Sequence, residues 1–501
     1  MFSRSFSRSA RPAALAARRS CQSGITMPLR AKIMSQSAKY SSQSGDEAIR
    51  SLAGDNPEDV LFDSLYGLRT IQLNRPKKLN SLNGSMVRKI VPRLLEWQKS
   101  DMANVIVMKG TGEKAFCAGG DVTSLAIANR KKGEEGQRAS AEYFKLEYKL
   151  DHLISTLSKP YIAFMDGVTM GGGVGLSVHA PFRIATERTL FAMPETTIGF
   201  FPDVGGSFFL PRMAGATGTY LALTSERLKG VNVFYSGVAT HYLHSTSLPN
   251  LESRLAELRF RDSDDLSHRL NVINATIEEY TTGLPHDEPI FFQGELRNAI
   301  DRCFSYSRVD DIIAALKAEE GPTKEWAEKT LHTLHKRSPT SVHVALKAQK
   351  LGKNWTIAET FKREYQMAAK FMKANDFTEG VTALLIDKSK PEPKWQPASL
   401  EDIKEDEDVT EPYFKVDTDE LPELKLLNNQ DYREYPYAHF ALPSEREVES
   451  LVTEGTLNRR EVVRALVQKK SGKLGVREVV EEILDRKTTT NENGKVVWTY
   501  E

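Results

Sequence analysis

Two carboxylates, Glu195 and Asp203, stand eight residues apart in FAMPETTIGFFPDVGG (191 to 206), a run otherwise built of aromatic, aliphatic, Thr, Pro and Gly residues. Taking an ion out of water costs several kcal/mol, so acids in such a stretch are paired, form turns or do chemistry. The chemistry open to such a pair is proton transfer or attack on a carbonyl, one carboxylate acting as base or nucleophile and the other as its partner. The residues themselves leave blander roles open. Glu195 follows Pro194 as an acid at a helix start does, and Asp203 follows Pro202 as a turn-forming Asp does.

Three glycine-bearing turns accompany them: KAFCAGGD (114 to 121), DGVTMGGGVG (166 to 175) and PDVGG (202 to 206). Glycine lets a backbone approach a ligand closely. GGGVG matches neither the dinucleotide fingerprint nor the phosphate loop and lacks the ribose-binding acid that follows such a fingerprint, so nucleotide cofactors are set aside. The first two turns each follow a predicted strand, and the second opens a helix. Free N–H groups at Ala118 and Gly172 then converge on one point as an oxyanion hole, in which losing one donor costs about 10² to 10³ in rate. Tight turns with glycines for geometry explain the same residues. Cys117 has no motif-placed His partner and reads as a packed thiol. His179 and His241 lack metal-ligand spacing and read as structural, so no metal and no cofactor are expected.

The elements that must position these groups alternate in type. Predicted strands cover LRTIQL (68 to 73), NVIVMK (104 to 109), YIAFM (161 to 165), FRIAT (182 to 186) and LFAM (190 to 193), with helices over 84 to 99, over 138 to 157 and opening at Gly172. Strands joined by such helices give an α/β core with its chemistry on strand-to-helix turns. After about Gly206 strands are no longer expected, and helices follow over 219 to 229, 250 to 260, 265 to 280, 308 to 318, 323 to 336, 338 to 351 and 356 to 374. Thr356 and Glu359 read as a capping box, and Pro339 fits a first helical turn.

Composition divides the 501 residues further. Residues 1 to 45 hold eight Lys/Arg and no acid, so with a net charge of +1 for the whole chain the rest carries −7. An acid-free arm rich in Arg, Ser and Ala reads as a mitochondrial transit segment, a basic nucleic-acid-binding tail being the alternative. No apolar run approaches the roughly 18 residues of a membrane span. Three cysteines (Cys21, Cys117, Cys303) make neither a disulfide framework nor a CxxC pair, which suits a reducing compartment. Residues 401 to 423 hold eleven acids against two Lys and read as a solvated linker. Beyond it, helices are predicted over 444 to 453 and 457 to 487. The seven basic residues and one acid of 459 to 477 fit a solvated helix face or an RNA-contacting one.

LNRPKKLNSLN (73 to 83), KAFCAGGD, GVTMGGGVGLS, FAMPETTIGFFPDVGG, LTSERLKG and the closing FTEGVTALLIDKSKPEPKWQP together resemble the crotonase superfamily, and within it the 3-hydroxyisobutyryl-CoA hydrolase branch, over roughly 60 to 390. The resemblance implies a spiral of strand-strand-helix units followed by a helical trimerisation or covering region, with an acyl-CoA bound across the turns. It places Ala118 and Gly172 on the thioester oxygen, Glu195 and Asp203 at catalysis, and Glu147 at substrate binding near a 3-hydroxyl. Arg75 to Leu79 and Ala115 to Gly119 would line the CoA channel, with Lys77 and Lys78 as phosphate partners or ordinary solvated residues. Hydratases of the superfamily generally carry a first glutamate on the helix after the GGG turn. This chain has Gly175 there, which disfavours hydration and makes Asp203 the partner of Glu195.

The expected fold is therefore α/β: a transit segment (1 to 45), an acyl-CoA-binding crotonase-like core (55 to 260), a helical region completing it (261 to 398), an acidic linker (399 to 423) and a small, mainly helical extension (424 to 501). The expected activity is hydrolysis of 3-hydroxyisobutyryl-CoA to 3-hydroxyisobutyrate and CoA in the mitochondrial matrix, a step of valine catabolism. An enoyl-CoA hydratase or isomerase is the second reading. A subunit of the mitochondrial ribosome, as some fungal relatives of the branch resemble, is the third and is compatible with the first. Self-association and contact with the small ribosomal subunit are the macromolecular expectations, and neither DNA binding nor membrane insertion is expected.

Overall fold

The strand runs of the core are apolar on both faces, the pattern of a parallel sheet covered on both sides. In the computed structural model, which describes residues 49–387, 392–404, 408–416, 421–455 and 457–499, they build two sheets. β1 (Val60–Leu65), β2 (Leu68–Leu73), β3 (Val105–Gly110), β5 (Tyr161–Met165), β7 (Phe182–Ala185) and β10 (His241–Tyr242) form a six-stranded sheet in that order, antiparallel at β1/β2 and parallel beyond. β4 (Ala115–Cys117), β6 (Val168–Met170), β8 (Leu190–Ala192) and β9 (Leu228–Lys229) form a second sheet, parallel except for β9. From β3 to β8 the chain alternates, sending β3, β5 and β7 to the large sheet and β4, β6 and β8 to the small one. Helix α1 (Gly84–Gln98) follows β2, α2 (Val122–Lys132) and the long α3 (Glu134–Ser155) follow β4, and the short α4 (Gly172–Val178) follows β6. This is the crotonase-like α/β arrangement that the motifs imply.

The basic arm, with its transit reading, lies outside the described residues. Strands persist past Gly206, contrary to expectation: β9 and β10 close the two sheets, and a hairpin pairs Thr488–Thr490 with Val496–Trp498. These strands are two or three residues long, too short to show a period in sequence. The helix predicted over 457 to 487 is two helices, because Ser471, Gly472 and Gly475 take left-handed φ values of 54°, 79° and 85° in SGKLG. At Thr356 half of the capping box forms. Its hydroxyl accepts the Glu359 N–H (3.2 Å), while the Glu359 carboxylate turns to Arg363 (2.8 Å).

Two helices set the site. α3 is buried along one face through Tyr143, Glu147, Tyr148, Asp151 and His152, and α5 (Ile357–Lys373) packs beside it, Tyr148 against Phe361 at 6.1 Å. The GFF of the central motif locks between them: Phe200 stacks on Phe144 of α3 at 5.0 Å and Phe201 on Phe371 of α5 at 5.4 Å. Aromatic pairs of this geometry add about 0.5–1.5 kcal/mol each beyond area burial, so the backbone joining Glu195 to Asp203 is fixed at its midpoint.

Residues Ile49–Glu501 form one compact unit. In the acidic segment Leu400 and Thr410 are buried and Tyr413 stacks on Phe371 at 4.4 Å. Further on, Arg183 donates to the Tyr435 hydroxyl (2.7 Å), Phe440 meets Phe182 at 4.8 Å, and the Tyr432 carbonyl accepts the Ile357 N–H at the start of α5 (2.9 Å). Helices α6 (Glu445–Glu454), α7 (Arg459–Lys469) and α8 (Val476–Lys487) are tied down by charge, Arg486 bridging Glu445 and Glu482 and Arg297 reaching Glu445 at 2.9 Å. Of the seven basic residues in 459 to 477, Arg459, Lys469, Lys470, Lys473 and Arg477 have carboxylate partners. Lys470 and Lys473 are buried in these pairs, whereas Lys469 and Arg477 stay more than 60% exposed.

Candidate active site

β8 ends at Ala192, and after Met-Pro the chain makes one tight helical turn, Glu195–Ile198. Glu195 heads this turn with Oε2 buried and without a hydrogen-bond partner among the described residues, and Oε1 lies 2.9 Å from where a methyl group on Gly171 would sit. Asp203 does close a turn, but through its backbone, its carbonyl accepting the Gly206 N–H at 2.7 Å. Its carboxylate accepts the Tyr148 hydroxyl of α3 at 2.7 Å.

Glu147 projects from α3 against the GGG turn, where a methyl group on Gly172 would overlap its Oε1. Glu147, Glu195 and Asp203 are 2%, 5% and 4% exposed. The sequence reading thus brings three acids together and misses two more, Asp151 and Glu364, both fully buried. Asp151 sits one helical turn beyond Glu147, with neither oxygen hydrogen-bonded among the described residues. It explains Gly175: a methyl group there would lie 2.8 Å from Asp151 Oδ2 and 2.7 Å from the Val204 side chain. The place of the hydratase glutamate is filled by a carboxylate from another helix. Glu364 accepts the N–H groups of Gly205 (2.7 Å) and Ser207 (2.9 Å). Between Asp203 and Gly205, Val204 holds φ 52°, a conformation that costs about 1–3 kcal/mol, and its carbonyl contacts His179 Nε2 at 2.9 Å.

Burial and mutual repulsion govern this cluster. Burial, then the charge of Asp203, pushes Glu147 and Glu195 well above the ordinary carboxylate range. Burial, then Glu147 and Asp203, does the same to Asp151. Burial raises Asp203 to about 7 against the opposing Tyr148 hydrogen bond, and raises Glu364 to about 8 against its two amide donors. Asp203, at about 7, can hold or release a proton close to neutrality, as a carboxylate in general acid/base work requires. Burial instead drives the Cys117 thiol up to about 12, which leaves it no thiolate to attack with. His179 and His241 are buried and pulled down to about 4, in keeping with structural roles.

The amide donors differ from expectation. Gly172 opens α4 after Gly171 at φ 45°, and no acceptor for its N–H is found among the described residues. The Ala118 N–H is not free: it donates to the Leu79 carbonyl at 3.0 Å. Leu79 and Asn80 both take left-handed φ values, 49° and 57°, which swing that carbonyl onto Ala118. Asn80 is anchored by the carbonyls of Thr111 (3.1 Å) and Ala115 (2.8 Å). A ligand oxygen at the Ala118 position therefore displaces the Leu79 carbonyl. Beside this loop a cavity of about 360 Å³ is lined by Arg75, Leu82, Arg88, Asp121, Tyr143 and Leu146, the last adjoining Glu147 on α3. Arg75 pairs with Asp121 at 2.8 Å and Lys78 with the same carboxylate at 3.4 Å.

Residues 68–414 match the family model described as enoyl-CoA hydratase/isomerase. A small ribosomal subunit protein of Neurospora crassa is 59% identical over 493 residues, 97% of either chain. Mitochondrial 3-hydroxyisobutyryl-CoA hydrolases of Gallus gallus and Homo sapiens are 43% and 41% identical, each covering 70% of this chain and 88% of its own length. A solved carnitinyl-CoA dehydratase of Mycobacterium thermoresistibile, 33% identical, superposes with a TM-score of 0.63 over 74% of this chain and all of its own. With the two-sheet spiral and the motifs in place, these matches settle the family: the chain belongs to the enoyl-CoA hydratase/isomerase family.

Proposed function

We propose that this protein hydrolyses the thioester of 3-hydroxyisobutyryl-CoA to 3-hydroxyisobutyrate and CoA in the mitochondrial matrix, with Glu195 and Asp203 as the catalytic pair. The observation that carries this reading is the buried pair itself, Glu195 unpartnered on one oxygen and Asp203 held by Tyr148, with no carboxylate at Gly175. The mitochondrial hydrolase relatives support it.

Glu195, held protonated by its burial, passes its proton to Asp203 and then attacks the thioester carbonyl directly or takes the proton from a water that does. The tetrahedral oxyanion faces the Gly172 N–H, and the Ala118 N–H joins it once the carbonyl oxygen has displaced that of Leu79. The C–S bond breaks, and the departing thiolate receives a proton from Asp203, whose value near 7 lets it hold one and release it. On the direct route, water then hydrolyses the acyl-Glu195 anhydride to the same acid. Glu147, its Oε1 free beside Gly172, receives the 3-hydroxyl of the acyl group. Thiol release from a panel of short acyl-CoAs tests reaction and substrate together. The expected result is fastest release from 3-hydroxyisobutyryl-CoA, whereas loss of the crotonyl-CoA double bond without thiol release would replace the reading with hydration.

A second role is favoured by one comparison. The hydrolase relatives leave about 30% of this chain unmatched, while the ribosomal relative covers 97% of it, a match too long to leave out the 424–501 extension. We infer that the protein also associates with the small subunit of the mitochondrial ribosome. Sedimentation of mitochondrial lysate in high salt is expected to carry part of the protein with small subunits, and a pool wholly at the top of the gradient would rule this out.

A further inference from the structure

Of the five carboxylates in this cluster, Glu364 commits both oxygens to backbone donors of another segment. It comes from α5, 159 residues along the chain from Gly205. One oxygen accepts the Gly205 N–H and the other the Ser207 N–H, in the turn that immediately follows Asp203. Between Asp203 and those amides lies Val204, a β-branched residue held at φ 52°. Side chains of this type stay in the left-handed region only where their surroundings over-determine the backbone. Here the determinants are Glu364 on the two amides and His179 on the Val204 carbonyl (2.9 Å), with Phe361, one turn before Glu364 on α5, edge-on to the His179 ring at 5.6 Å. The turn's backbone direction in turn sets the point from which the Asp203 carboxylate meets Tyr148.

We propose that Glu364 is a positioning residue for Asp203: its carboxylate clamps the Gly205 and Ser207 amides, keeps Val204 left-handed, and so presents the Asp203 carboxylate to the reacting thioester. Glu364 touches no reacting atom. The proposal rests on the hydrolase reading above for its catalytic consequence, but the clamp is a property of the fold.

Two variants attack the clamp from opposite sides. Glu364→Gln keeps the shape and one acceptor oxygen while losing the second. Ser207→Pro deletes one donor at the second position of a helical turn, where proline fits. Thiol release from 3-hydroxyisobutyryl-CoA, thermal melting and amide hydrogen exchange across 203 to 207 are measured on the full chain. Expected for E364Q is a fall in kcat of about 10²-fold with KM changed less than about threefold, since misplacing a catalytic group by about 1 Å costs that much. The melt remains cooperative, and exchange at the Gly205 and Ser207 amides speeds up at least about tenfold. S207P is expected to lower kcat about tenfold with KM again unchanged. Values of kcat within about threefold of the parent in both variants would overturn the proposal while leaving the hydrolase reading intact. A parent protein that releases no thiol fails that reading instead, and the clamp is then decided by exchange: unchanged protection at Gly205 and Ser207 in E364Q overturns it. Should E364Q not melt cooperatively, S207P decides by kcat, KM and exchange at the Gly205 amide.

Discussion

Glu195→Gln is expected to slow thiol release by at least about 10³-fold while leaving the melting temperature unchanged or higher. A positioned base or nucleophile contributes on the order of 10² to 10⁴ in rate, and here neither the Cys117 thiol, driven up to about 12, nor Asp203, engaged with Tyr148, takes its place. Most core substitutions destabilise. This one removes an ionisable group whose Oε2 is buried without a partner, and the amide that replaces it carries no charge to desolvate. Losing activity without losing stability distinguishes a reacting group from a packing one. A variant retaining more than about a tenth of the parent rate would end the assignment of Glu195.

Asp203→Asn is expected to lower the rate by at least about 10²-fold and to remove an inflection near pH 7 from the rate profile. The parent inflection belongs to the coupled carboxylates rather than to one residue. Tyr148→Phe should move it upward, because the Tyr148 hydroxyl donates to the charged form of Asp203. Stability follows the same protons. Asp203 and Glu364 rise in the fold from ordinary values of 3.8 and 4.5 to about 7 and about 8, so stabilisation fully present below the ordinary values is lost as pH climbs through the raised ones. His152, His179 and His241 fall from 6.5 to about 4 and act oppositely, their contribution being lost as pH falls from 6.5 toward 4. Glu147, Asp151 and Glu195 are raised with them, and five carboxylates outweigh three histidines, so melting temperature should decline from about pH 5 toward about pH 8. In D203N the decline on the alkaline side should be shallower. An equally steep decline, with the rate inflection still in place, would show that Asp203 does not titrate with the cluster.

What sequence makes visible here is whatever is written locally. The five strand segments read from apolar runs all lie on observed strands, and the spacing of Glu195 and Asp203 needs only fifteen or so residues of context. β4 and β6 escape because they are three residues beside glycine turns, and β1 because only Val60 of its six residues is fully buried. The engaged Ala118 N–H escapes because its acceptor, Leu79, depends on two left-handed residues that have no glycine to announce them. Asp151 and Glu364 escape because a mid-helix acid ordinarily faces solvent, and its burial is decided by the helix packed against it. A signal did exist for each. Asp151 follows Glu147 by four residues, on the face of α3 that carries Tyr143, Phe144 and Tyr148. Glu364 falls on the stripe of Ile357, Phe361, Ala368, Phe371 and Met372, where α5 shows its apolar side.

The crowding around Gly175 bears on how the two activities of this fold family stay separate. A glutamate restored at that position would meet the Asp151 carboxylate and the Val204 side chain before it reached any substrate, and Val204 belongs to the strained turn behind Asp203. Relieving one overlap means replacing an acid on α3, and relieving the other means rebuilding that turn, so neither change is advantageous without the rest. A two-glutamate site is out of reach of any single substitution here, and the barrier is set by packing rather than by the chemistry it protects.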